Sequence, residues 1–260
     1  MKRTAKFFLL VVGSTALAGC ETVRDQPVAP TIEAVPVIPI VSEDDRINAW
    51  FDARYEEQLA FSPIEQTFIG RKTNYGKIDD FGDEALNRQL AWLREAVKEM
   101  QGSFDYEKLS AEAKTSYDMW LYDLEHSESA LLFRINRYAL HQHNGLQSFF
   151  PTFLINTHKV ETDADMVGFI QRISGVANAL DQLLARAKKN AGAGTRPPRF
   201  AYSGVIDQST KITSGAPFDD GPDSAIWTAT NNKLKALVDD GVITAARANI
   251  LRGNARNALT

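Results

Sequence analysis

Apolar residues recur along most of this chain at helical spacing, and the breaks between runs fall on residues that start or stop helices. Ser42 is suited to cap a helix with the acids of "EDD" in its first turn, and Ile47, Trp50, Phe51, Tyr55 and Leu59 then share one side. Pro63 is expected to end that run. From Asp83 the apolar set is Leu86, Leu90, Leu93, Val97 and Met100, an amphipathic stripe. Ser110 predicts the start of a third helix carrying Tyr117, Trp120, Leu121 and Leu124. "TDAD" (Thr162 to Asp165) reads as a capping box with Asp in place of Glu. It opens the strongest pattern, Met166, Phe169, Ile170, Ile173, Val176, Leu180, Leu183 and Leu184, which "NAGAGTRPPRF" interrupts.

A weaker helix is predicted from about Phe200, followed by the loop "SGAPFDDGPDS". Two more are predicted, from about Ser224 to Asp239 and from Thr244 onward, with Gly241 between them. No segment alternates with the period of a strand, so the predicted class is all-α, a multi-helix domain over residues 42–260. The last helix is still periodic at Ile250, Leu251 and Leu259 and has no glycine cap, which predicts an apolar face left exposed for more chain.

The first forty residues follow other rules. Lys2, Arg3 and Lys6 precede the short apolar run "FFLLVV", which is too short to span a bilayer and reads as a signal peptide over residues 1–19. Its end, "LAGC", resembles the lipobox of bacterial lipoproteins, in which the cysteine is acylated and becomes the first mature residue. Cys20 is the only cysteine in the chain, so no intramolecular disulfide competes for it. Acylation contributes about 0.8 kcal/mol per buried CH₂, enough for several chains together to hold a protein on a membrane. Glu21 stands where the inner-membrane retention rule would want Asp, which by the same resemblance implies the outer membrane, with the domain facing the periplasm. Residues 20–41 carry Pro27, Pro30, Pro36 and Pro39 and are expected to form a stiff extended tether of about 3.1 Å per residue.

Charge narrows the partners. The formal charge is −4, and cleavage before Cys20 would take it to −7 by removing three cations and no acid. Nucleic acid is therefore not an expected partner, nor is a second, electrostatic attachment to anionic lipid.

Three of the four histidines lie between Tyr138 and His158. His141 and His143 would share a face if their segment were extended, and His158 would be a third zinc ligand. "NG" at Asn144 signals a turn instead, and no Cys or suitably spaced Glu accompanies the pair. His126, in "LEHSES", reads as solvated. Asp219 and Asp220 lack the spacing of a helix-loop-helix calcium site. Phe149, Phe150 and Phe153 around Pro151 suit either a cleft or a core. No "HE" dipeptide, phosphate loop, dinucleotide motif or nucleophile elbow occurs.

The order of elements carries more than any motif. Gln142 and Gly145, "FLINTHKVETDAD", Arg172 and "GAGTRPP" follow one another as in the domain of unknown function 885 family. The upstream "FSPIEQTFIG" and "LSAEAKTSYDMWLYDLE" fit the same order, so the chain resembles the N-terminal half of that family over about Ser42 to Thr260. The resemblance implies an all-helical bacterial protein, often a lipoprotein, and similarity to two-lobed zinc peptidases. It further implies a His-Glu-x-x-x-His-type helix with a downstream Glu, in which zinc polarises a carbonyl and the Glu acts as general base. None of those residues is in this sequence, so zinc is expected only outside it.

Two readings follow. In one, the chain is the N-terminal helical lobe of a membrane-anchored, peptidase-like lipoprotein acting on peptides. His141, Gln142, His143, Asn144, Phe149 and Phe150 are then the candidates for lining its cleft. In the other, it is a complete, non-catalytic periplasmic lipoprotein that binds a partner or scaffolds.

Overall fold

The computed structural model describes residues 41–260. The expected signal peptide, Cys20 and the tether up to residue 40 lie outside the described residues. Among the described residues, nine α-helices account for the regular structure: α1 (Glu43–Ala60), α2 (Pro63–Phe68), α3 (Asp83–Ser103), α4 (Ala111–Leu132), α5 (Leu146–Thr152), α6 (Asp163–Gly192), α7 (Arg199–Ile212), α8 (Ala225–Asp239) and α9 (Ala245–Leu259). No strand forms among them; one isolated bridge joins Ala216 to Asp223. The all-α class read from the sequence is therefore the observed one.

Local chemistry sets the helix starts. Ser42 accepts from the Asp45 N–H at 3.0 Å while the Asp45 carboxylate reaches back to the Ser42 N–H. Thr162 and Asp165 form the same reciprocal box at the head of α6. Ser110, Ser224 and Thr244 cap α4, α8 and α9. Pro63 differs from expectation. The α1 helix has already ended at Ala60, and Pro63 is the first residue of α2, where a missing N–H costs nothing. α6 runs for 30 residues, about 45 Å at 1.5 Å per residue. It ends where Gly194 turns left-handed (φ 93°), with the Gly194 N–H on the Ala191 carbonyl and the Thr195 N–H on the Asn190 carbonyl.

Two apolar cores result. The larger gathers Met166, Phe169, Ile173 and Leu183 of α6 against Phe150, Phe153, Ile226, Leu234, Leu237 and Leu251. The smaller joins Ile47 and Trp50 of α1 to Ala96 and Met100 of α3 and Ala113 and Tyr117 of α4. The exposed face expected on the last helix is largely covered. Leu251 is 1% exposed, Leu259 packs against the larger core, and Ile250 alone of the three stays open at 57%. α9 lies along α6 and α8, so its apolar seam has partners already, and Arg247 clamps Asp163 at the head of α6 through two bonds of 2.7 and 2.9 Å.

Candidate functional site

A groove of about 1160 Å³ opens between α1, α3, α4 and the segment 137–146. Aromatic rings form its base: Phe61 meets Trp92 edge-on at 5.7 Å, Trp92 lies 6.0 Å from Trp120, and Phe51 stacks on Trp120 at 6.3 Å. The Trp92 indole N–H is held by Glu57 at 2.8 Å, so its ring is fixed. Asp52, Asp123, His126, Arg134 and His141 stand around this base, giving an apolar floor under a rim of mixed charge. Met119, 60% exposed, adds an adaptable apolar contact at the edge.

Asp79 also lines the groove. Burial pushes its carboxyl above the usual range, while the Ile64 N–H at 2.9 Å and the Ser62 hydroxyl at 2.7 Å act against that shift. Both oxygens are thereby engaged at the start of α2, so Asp79 acts as a helix cap, not as a free acid.

The wall formed by "HQHNG" is a turn, which removes the premise that His141 and His143 share an extended face. Its carbonyls are read by amides. Gln147 Nε2 donates to the His141 carbonyl at 2.7 Å and to Gln208 Oε1 at 2.8 Å, and Gln208 Nε2 donates to the Gln142 carbonyl at 2.7 Å. Gly145 leaves room for this arrangement: a Cβ there would sit 2.1 Å from Gln147 Oε1 and 2.4 Å from the His141 carbonyl.

Of the six residues named as cleft candidates, His141 and Asn144 line the groove. Gln142 packs against α7 beneath Gly204, and His143 is solvent-exposed away from the groove lining. Phe150 is fully buried and Phe149 packs partly buried on the same core, because α5 turns that side towards Phe81 and Phe153. Trp92 and Trp120 were missed as groove residues. Trp120 lies on the apolar stripe of α4, the same signal that marks a core, and Trp92 falls beside the stripe of α3.

His158 belongs to a different structure. Pro151 withdraws one backbone donor from α5, and the next turn (Phe153–Thr157) opens to π spacing, ending with the His158 N–H on the Phe153 carbonyl at 3.0 Å. The imidazole is fully buried and stacks on Tyr75 at 4.1 Å. Its Nε2 donates to the Asp165 carbonyl at 3.2 Å and its Nδ1 accepts from Arg172 at 2.9 Å, which fixes one neutral tautomer. Burial, with Arg172 and Lys233 adding to it, pushes the ring down to about 4. Arg172 itself has no exposed surface and also donates to the Lys77 carbonyl, the Pro63 carbonyl and Thr67 Oγ1. Burial lowers it to about 10, so it remains a cation at neutral pH. For Asp165, burial works upward but Lys72 at 2.8 Å and the Glu161 and Thr162 N–H groups outweigh it, leaving the carboxyl below its usual range.

These residues do not fit a zinc site. His158 has committed both ring nitrogens and faces a guanidinium, and among the described residues no three His, Cys, Asp or Glu side chains are placed to hold an ion. Asp219 spends its two oxygens on the Gly215 and Gly221 N–H groups of its own loop, which holds it below the usual carboxylate range.

Comparison with known proteins agrees with this geometry at the level of family and fold. The profile described as "Bacterial protein of unknown function (DUF885)" matches residues 63–260. No curated protein matches the chain. Among solved structures the chain is similar to "the putative lipoprotein from Colwellia psychrerythraea", with a TM-score of 0.67 at 12% identity, over 85% of this chain and 39% of that one. At that identity the likeness is one of fold, and the chain spans well under half the length of that protein.

Proposed function

Because the chain belongs to the family of bacterial proteins of unknown function DUF885, we propose that its helical domain is the binding lobe of a lipid-anchored, peptidase-like protein. It forms one wall of a cleft for extended peptides, with zinc and the general base supplied from outside these residues. The aromatic-floored groove is the observation that carries this reading. It offers ring faces to apolar side chains and a rim of both charges to a peptide backbone and its ends. Acylation of Cys20 and attachment to the outer membrane on the periplasmic side complete the proposal. No described helix is long and apolar enough to cross a membrane.

A second reading, a helical lipoprotein that binds a partner without chemistry, draws on the same aromatic-floored groove. One experiment tests both. The full chain with Cys20→Ser is titrated with extended peptides of four to eight residues and followed by tryptophan fluorescence, then incubated with zinc and assayed for cleavage. Saturable binding weakened by Met119→Lys, without cleavage, is the expected result. Absence of saturable binding overturns the peptide groove. Zinc-dependent cleavage overturns the placement of the chemistry outside this chain.

A further inference from the structure

A second cavity, of about 320 Å³, lies between the C-terminal half of α6 and α7. Its walls are Leu184, Ala187 and Ala191 from α6, Val205 and Ile206 from α7, and Tyr138 across from them. At its inner end, Asn190 is tied into the surrounding backbone. Asn190 Nδ2 donates to the Arg137 carbonyl at 2.9 Å, and the Asn190 carbonyl accepts from the Thr195 N–H at 2.9 Å. The mouth is apolar as well: Leu184, Tyr202 and Ile206 are 44, 47 and 61% exposed, although a solvated face of a helix would normally carry polar residues there.

Two cations stand at the rim, Arg137 and Lys188. Their neighbours Arg186 and Lys189 are both paired with Asp83, yet no carboxylate lies within ion-pair range of Arg137 or Lys188 among the described residues. An apolar pocket of this size with unpaired cations at its lip matches a molecule built the same way.

We propose that this cavity binds an aliphatic chain carrying an anionic head group, the chain filling the space between α6 and α7 and the head meeting Arg137 and Lys188. The site shares the wall of Arg137, Tyr138 and Ala139 with the groove but does not depend on the peptide reading. The same chemistry is offered by a free fatty acid and by the acyl chain of an anionic phospholipid.

The test titrates the full chain with Cys20→Ser with laurate, below its micelle concentration, by calorimetry. Saturable 1:1 binding is expected, about fivefold weaker in the Arg137→Gln/Lys188→Gln double variant and lost in Ala187→Phe, which fills the cavity. Circular dichroism melting of each variant confirms folding, and Ile206→Gln at the exposed mouth serves if Ala187→Phe does not fold. Failure of laurate to saturate overturns the proposal, as does undiminished binding to folded Ala187→Phe. Dodecanol binding as tightly as laurate overturns the part given to the two cations. Co-sedimentation with phosphatidylglycerol vesicles that laurate abolishes identifies the bilayer as the source. Laurate binding without co-sedimentation identifies the free amphiphile.

Discussion

A guanidinium with no accessible surface must find acceptors inside the protein, and Arg172 finds four of them: two carbonyls, a hydroxyl and an imidazole nitrogen. The rings of Tyr75 and Phe153, 4.9 and 5.0 Å from its carbon, complete the enclosure. Replacing it by Met leaves those acceptors buried without donors. We expect Arg172→Met to lose about 3 kcal/mol in a denaturant titration, with Arg172→Lys also clearly destabilised because an ammonium cannot span the same acceptors. A loss under about 1 kcal/mol for the Met variant would remove Arg172 from this role. His158 makes a pH prediction. Its folded value, about 4, lies below the unfolded 6.5, so between those limits the unfolded chain binds the extra proton and stability rises with pH. Stability should therefore fall by about 3 kcal/mol as pH drops from above 6.5 to about 4. In His158→Gln that slope should be absent, while losses below pH 4 from the depressed Asp165 carboxyl persist.

At the scale of elements, most of what is local was legible. Ser42, Ser110, Thr162, Ser224 and Thr244 all cap the helices that their positions predicted, because a cap is settled within three residues of itself. Thr162→Ala should cost about 1 kcal/mol, read as a lower midpoint of thermal unfolding, by freeing the Asp165 N–H. What failed was also local: Pro63 is as suited to opening a helix as to ending one. The π turn after Pro151 had no sequence signal and decided where His158 went. Arg172 falls on the buried face of α6 beside Phe169 and Ile173, so a charge inside the apolar stripe was visible, but its partners, 14 to 109 residues away, were not. The pattern that marked the family, from "FLINTHKVETDAD" to Arg172, is thus largely the scaffold of this buried junction. The groove was hidden for a similar reason: Trp92, Trp120 and His141 come together only through tertiary packing.

At the scale of the molecule, the two cores are unequal. The larger has fifteen buried residues tied to α6, α8 and α9, and the smaller has seven between α1, α3 and α4. Opening free energy should follow that difference. Hydrogen exchange should therefore show slower amide exchange in α6 and α8 than in α1 and α4, and the reverse order would contradict the partition of the core.

Arg137, Tyr138 and Ala139 wall both the aromatic groove and the cavity beside α7. Thermodynamic reciprocity then links the two: if occupancy of one space shifts this three-residue partition, each ligand must change the other's affinity by the same factor. Titrating laurate with and without saturating peptide measures that factor directly. A value of one would mean that the partition is rigid and the two compartments act independently.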